Sequence, residues 1–343
     1  MMMAASTTIL GVEISQEIAN GLPRAGDLPP LTTGSDGIDC GDDLRVTILD
    51  PLREFLGRSS KQIRAQIVHA ALDMACGGTS PSPAQKSLAG CLSQVVEVIH
   101  AGSLIIDDIQ DASDKRRGLP ALHVQIGEPL AINAANWLYF WPGELIRQQN
   151  LSAAVEVEVY RVYHDTMIRA HYGQALDLGF DMTAVAKDRA RPVSMAAIAM
   201  KTGALMGMCC EFGAIAADAD AETRSRLAQF GETFGTVLQM FNDIGEVRAT
   251  SSSLSPFSRP SWVWAVAADT LSAHEYEEFR KLISGSGGLP GREKLAAHPV
   301  VDEAVRRARG EMGRCLDGVS GFAGKTGTGF VEKIARKVME AYV

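Results

Sequence analysis

Along most of the chain, apolar residues recur at spacings of three and four, the period of one face of a helix. Leu88, Leu92, Val95, Val96, Ile99, Ser103 and Ile106 form the clearest stripe, after the breaker TSPSP, and predict a helix over 84–110. The same period predicts helices over 45–56, 60–76, 128–148, 152–180, 192–216, 221–248, 262–284 and 300–317, and a last one over 328–341. Alternating apolar and polar runs bounded by hairpin dipeptides are scarce, so the expected fold class is all-α, a single-domain helical bundle. Residues 1–43 carry Pro23, Pro29, Pro30 and the polar run TTGSDG without a sustained period. They are expected to be a loosely ordered arm ahead of one domain over 44–343. The Gly/Pro/Ser-rich interruptions at 250–260 and 284–291 are too short to part off a second domain.

Composition narrows the function classes. An apolar share of 46% in 343 residues is ample for a buried core. Lys plus Arg number 33 against 41 Asp plus Glu, so the net charge is 33 − 41 = −8. That balance argues against a nucleic-acid partner, which a basic excess would serve. The six cysteines form no CxxC pair and have no histidine at zinc-finger spacing, as expected for buried thiols in a reducing compartment. No uninterrupted apolar run of about twenty residues is present, so no membrane insertion is expected. The start MMMAASTTILGVEISQE lacks a basic n-region, and a cytoplasmic location is the expectation.

The strongest candidate chemistry is SLIIDDIQDASDKRRG. Asp107 and Asp111 are four apart, so a helix projects both carboxylates from one face, with Asp108 off to the side. Their repulsion becomes attraction once a divalent cation lies between them, and an all-oxygen set with few protein ligands suits Mg²⁺ shared with substrate phosphates. Arg116 and Arg117 follow directly, as planar donors for phosphate oxygens. A second helix ends in QMFNDIGEV, where Gln239, Asn242, Asp243 and Glu246 stand at i, i+3, i+4 and i+7. Taken alone this fits a solvated helix face equally well. Set across a bundle from Asp107 and Asp111, it would complete an oxygen-lined metal site. GFAGKTGTGF near the C-terminus suggests a phosphate-binding loop, but Gly318 lies one residue too far from Gly324 and no hydrophobic strand precedes it.

Together these stretches resemble the trans-isoprenyl diphosphate synthases, the polyprenyl synthetase family. DDIQD with RRG matches the first aspartate-rich motif, and GQALDL (173–178) and KTGAL (201–205) match the motifs between it and the second. The order holds over about 57–262, and INAANWLYF (132–140) is most similar to the geranylgeranyl branch. The resemblance implies a bundle around a central metal and diphosphate cavity, up to three Mg²⁺ ions, and a homodimer. Lys61 and Arg64 match the family's GGKRxRP segment and, with His100 and Arg117, are implied to hold isopentenyl diphosphate. Arg116, Lys201, Thr202 and Gln239 are implied to hold the allylic diphosphate. Asp107, Asp111, Asn242, Asp243 and Glu246 are the implied metal ligands, and Asp107, Asp111, Lys201 and Asp243 the residues implied to drive the chemistry.

This chain departs from the pattern twice. SSKQIRA lacks the paired glycines, with Gln62 for the first arginine and Ala65 for the proline. The second motif reads Asn242, Asp243, Ile244, Gly245, Glu246 in place of D-D-x-x-D, with one formal charge fewer and a longer last acid. The lysine-rich loop after it looks shortened, with Arg259 standing for its last lysine. Below Asp107, Gly102 and Ser103 are small, which leaves room for a geranylgeranyl or longer tail or else serves close helix packing. The altered motifs keep two other functions open. One is a terpene-cyclase-like enzyme acting on the prenyl diphosphate alone, and the other is a poorly active regulatory subunit of a synthase.

Overall fold

A computed structural model of the protein describes residues 15–24, 31–33, 36–38, 40–248, 257–284 and 289–341. Sixteen helices among these residues carry the fold: α1 Ser15–Gly21, α2 Gly41–Leu44, α3 Asp50–Gly57, α4 Ile63–Ala75, α5 Pro83–Gln110, α6 Leu122–Ile126, α7 Glu128–Arg147 and α8 Ala153–Gly179, then α9 Lys187–Ile198, α10 Ala204–Ala216, α11 Ala221–Arg248, α12 Trp262–Thr270, α13 Ala273–Ser284, α14 Leu289–Ala296, α15 Pro299–Val319 and α16 Lys325–Ala341. The strands among the described residues form two short antiparallel hairpins, β1 Leu31–Thr33 with β2 Asp36–Ile38, and β3 Lys115–Arg116 with β4 Leu119–Pro120. The all-α reading therefore holds. π-helical turns at Arg45–Leu49 and Ala199–Gly203 join α2 to α3 and α9 to α10.

Two local expectations change. Part of the arm is a helix, because Ile18, Ala19 and Leu22 share a side and are buried. α1 packs on α3, and Arg53 Nε donates to the Ala19 carbonyl at 3.2 Å. The stretch 262–284 is two helices. Ser272 starts the second with a reciprocal cap: its N–H donates to Glu275 Oε2 at 2.7 Å, and the Glu275 N–H donates to its hydroxyl at 3.3 Å. The loop ahead of Arg259 falls on 249–256, outside the described residues.

The chain divides into two compact units, one running through Gln66 and then Ser87–Glu156, the other formed by Ile67–Lys86 and the chain from Val157 on. In the first, α5 buries Leu92, Val95, Val96, Ile99 and Ile105. Gly102 of α5 lies against α7, where an added Cβ would meet Tyr139 Cε1 at 3.0 Å and the Ala135 carbonyl at 3.1 Å. In the second, α10 lies on α11 with backbones in close approach. A Cβ on Gly231 would stand 2.5 Å from the Met206 carbonyl, and one on Gly203 2.5 Å from Thr236 Oγ1. α16 docks on α4 in the same way, with Gly324 and Gly327 against the backbone of Asp73 and Ala70. The Asp73 carboxylate accepts the Gly327 N–H at 2.9 Å. Helix packing thus accounts for GFAGKTGTGF, which follows a helix and not a strand.

Pro83–Gln110 and Lys187–Ala216 are long and apolar enough to cross a membrane by length and composition, although no uninterrupted apolar run marks them in the sequence. Each has 67% of its apolar window buried inside the fold, the pattern of a core helix.

Candidate active site

In the first unit, α5 delivers His100, Ser103 and Asp107 toward its C-terminus, and Asp111 follows. The Asp111 N–H donates to the Asp107 carbonyl at 2.8 Å, so the helical register carries through and both carboxylates share a face. Asp107 is half-buried and Asp111 exposed. Asp108 is fully buried and takes Arg116 in a fork, with Nε 2.9 and 3.1 Å from its two oxygens and Nη2 also engaged. Arg117 (φ +56°) and Gly118 (φ +80°) form the left-handed turn of the β3–β4 hairpin, directly after Arg116. Arg58 staples this hairpin. It is clamped by Glu54 at 3.0 and 2.8 Å, donates to the Arg116 carbonyl at 3.3 Å, and its own carbonyl accepts from Arg117 Nη1 at 3.0 Å.

Of the residues expected to hold isopentenyl diphosphate, Arg117 is bonded to that staple, and Arg64 and Arg117 both lie within electrostatic reach of His100. Lys61 is exposed, and its carbonyl accepts from Gln66 Nε2 at 2.8 Å. Arg64 enters the first turn of α4 with its Nε buried and without a protein acceptor. Burial, followed by Arg64, Arg117 and Arg116, holds the His100 imidazole well below the usual histidine range, so the ring is neutral at pH 7. Ser103 donates back to the His100 carbonyl at 2.9 Å. Gly102 packs closely on α7, where an added Cβ would meet the Tyr139 ring and the Ala135 carbonyl.

In the second unit, Gly173 lets α8 lie directly against the Lys201 backbone. Four residues on, Asp177 accepts from Lys201 Nζ at 2.9 Å, with Arg259 Nη1 at 3.8 Å. A chain of hydrogen bonds then runs along α11. Thr202 Oγ1 donates to Gln239 Oε1 at 3.1 Å, Gln239 Nε2 to Asp243 Oδ1 at 2.8 Å, and the Trp262 N–H to Asp243 Oδ2 at 2.7 Å. Burial, with Glu246 nearby, pushes the Asp243 carboxyl up to about 8 against those two donors. Both Asp243 oxygens are thus engaged by protein, whereas Asn242 and Glu246 are exposed, one helical turn apart.

The donors present fit a hard divalent cation. Asp107 and Asp111 offer carboxylate oxygens on one face, and Asn242 and Glu246 an amide and a carboxylate oxygen on another. Among the described residues no three His, Cys, Asp or Glu side chains converge as a ready-made cage. Mg²⁺ commonly uses one or two carboxylates and completes its shell with water and substrate phosphates. The orphaned Arg64 Nε is a buried donor that a phosphate oxygen would satisfy.

Residues 45–256 match the polyprenyl synthetase family model. The chain belongs to the polyprenyl synthetase family. A geranylgeranyl pyrophosphate synthase of Metarhizium anisopliae is 28% identical over 210 residues, 61% of this chain and 58% of that protein. A short chain isoprenyl diphosphate synthase of Methanothermobacter thermautotrophicus is 32% identical over 259 residues, 74% of this chain and 75% of that protein. The helical fold is shared with a geranylgeranyl pyrophosphate synthase from Corynebacterium glutamicum, solved with isoprenyl diphosphate and magnesium, at a TM-score of 0.69 and 19% identity over 87% of this chain and 94% of that one. Within this chain the motif residues named from sequence fall into two groups, one in each unit. Four further residues were not assigned from sequence: Asp108 and Arg58 hold Arg116 and Arg117, Asp177 holds Lys201, and Glu97 lies on α5 one turn before His100. Arg58 and Asp177 sit inside or beside quoted motifs, which was the available signal.

Proposed function

We propose that this polyprenyl synthetase is a Mg²⁺-dependent trans-prenyltransferase that joins isopentenyl diphosphate to an allylic prenyl diphosphate, with geranylgeranyl diphosphate as its product, and that its catalytic domain begins near residue 44. The observation that carries the reading is Arg64 Nε, buried without an acceptor, on a side chain whose charge, like that of Arg117, is felt by His100 and Glu97 of the DDIQD helix. Lys61, Arg64, His100 and Arg117 hold isopentenyl diphosphate and present its double bond, which is proximity catalysis. Arg116, Lys201, Thr202 and Gln239 receive the allylic diphosphate, and the two cations meet the charge that grows on the leaving group as its C–O bond breaks. Mg²⁺, held by Asp107 and Asp111 and by Asn242 and Glu246, supplies further neutralisation of that charge when bound. The allylic cation adds to the double bond, and the leaving diphosphate takes the proton. Apolar surroundings keep water from the cation. The magnesium and isoprenyl diphosphate of the Corynebacterium structure and the names of the relatives support this reading. Exposed Phe140 and Ile132 on α7 are apolar surface suited to the homodimer, and the location is cytoplasmic.

Incubating the purified protein with Mg²⁺, farnesyl diphosphate and isopentenyl diphosphate tests the proposal. A C20 diphosphate is expected. A hydrocarbon or alcohol formed from farnesyl diphosphate alone makes it a cyclase, and no turnover makes it a partner subunit.

A further inference from the structure

Arg64 lies where this chain departs from the family pattern, since the next residue is Ala65 and not proline. Proline carries no N–H, whereas Ala65 does, and as the third residue of α4 it has no intrahelical carbonyl to receive that donor. The following N–H, of Gln66, already bonds to the Gln62 carbonyl at 3.1 Å. The Ala65 N–H instead donates to Glu97 Oε1 at 3.1 Å. One turn earlier on α5, the Ser93 hydroxyl donates to the Ala89 carbonyl of its own helix at 2.7 Å, with the Ala65 carbonyl at 3.3 Å. The hold on the residue after Arg64 is therefore mainly the Glu97 contact at its N–H, with Ser93 beside its C=O. Both are buried, Ser93 completely and Glu97 with 8% of its surface exposed.

The charges point the same way. Arg58 is paired with Glu54, and Arg116 with Asp108. Burial raises the Glu97 carboxyl above the usual range, and the nearby Arg64 and Arg117 cations and the Ala65 N–H work against that rise. Three residues before His100, Glu97 stands on the same side of α5.

We infer that Glu97 is a positioning residue for the isopentenyl diphosphate site: accepting the Ala65 N–H fixes the first turn of α4 and with it Arg64, the task that a proline's rigid ring and missing donor would otherwise serve. The inference rests on the proposed function. Substrate touches Arg64 and not Glu97, so the signature is selective.

Steady-state kinetics and hydrogen exchange test it in the full-length protein. Glu97→Ala raises KM for isopentenyl diphosphate about tenfold and leaves kcat and the KM for the allylic substrate within about twofold. Glu97→Gln keeps the acceptor and restores the wild-type KM. Ala65→Pro in the Glu97→Ala background also restores it, because it removes the donor left stranded. In parallel, exchange at the Ala65 amide is slow in wild type and Glu97→Gln and fast in Glu97→Ala. An unchanged KM in Glu97→Ala, or an equal loss in kcat and both KM values, overturns the role. Should Glu97→Ala not fold, Glu97→Gln decides: slow exchange with wild-type KM supports the inference, and fast exchange overturns it. A wild-type protein that neither binds nor consumes isopentenyl diphosphate overturns the proposed function, whereas wild-type binding matched by Glu97→Ala overturns the role of Glu97 alone.

Discussion

Asp108 lies completely buried beneath Arg116, both carboxylate oxygens within 3.1 Å of the guanidinium Nε. The first aspartate-rich stretch thus divides its work: Asp107 and Asp111 face outward on one side of the helix, and the residue between them holds a cation in place. Asp108→Ala is expected to lower stability by about 3 kcal/mol, the low end for a broken buried pair because 29% of the Arg116 side chain stays in solvent. Urea unfolding measures this. A loss under about 1 kcal/mol would mean that Arg116 is held by other contacts.

Asp107→Ala acts in the opposite sense. Removing one of two like charges a helical turn apart costs the fold little, while chain elongation falls by about 10² to 10³-fold. Product assays at saturating Mg²⁺ and a melting curve separate the two effects. Full retained turnover rejects Asp107 as a metal ligand.

Product length distinguishes positions 102 and 103. Ser103→Phe is expected to shorten the product toward the farnesyl size, and Tyr139→Ala to lengthen it. Gly102→Phe instead destabilises by about 1–3 kcal/mol, because any Cβ there already meets the Ala135 carbonyl at 3.1 Å. Chromatography of the products, beside melting curves of the three variants, shows whether position 102 is packing or pocket.

His100 gives a pH signature with a definite sign. Its folded pKa lies well below its ordinary 6.5, so the unfolded chain binds the proton first, and stability falls as pH drops below about 6.5. His100→Gln keeps a neutral polar side chain and flattens that slope. It does not abolish it, since burial lowers His69 and His298 in the same direction. Unfolding midpoints at pH 7.5 and 5.5 for both proteins check the difference, and identical slopes would show that His100 is protonated in the fold.

The long helices were legible because a three-to-four repeat over two dozen residues, as in α5, has no competing period. α1 was not, since seven residues hold too few repeats and its burial depends on α3. The break at Leu271 was in principle readable, for Ser272 and Glu275 have the spacing of a reciprocal cap. At the site, spacing exposed Asp107 and Asp111 and set Asp108 to the side, but it could not show the partner of Asp108, which arrives eight residues later after a left-handed residue at Ala112. Glu97 was invisible for a similar reason, because its partner is a main-chain N–H on another helix. The motif marks Asp243 as a ligand, whereas one of its two hydrogen bonds comes from the N–H of Trp262, nineteen residues away, and the other from Gln239 on its own helix.

The glycines of the second unit give its group of motif residues an unusual division of labour. Gly173, Gly203 and Gly231 bring main chain against its neighbours, so close packing of backbones sets the stretch that carries Lys201 and Thr202, while hydrogen bonds to Asp177, Gln239 and Asp243 orient the side chains. Asn242 and Glu246 are the exposed members of the second motif, one turn apart on α11, while Asp243 is buried behind them. A motif that looks eroded when read as letters keeps, in the folded chain, two oxygen donors at the surface of a closely packed helix.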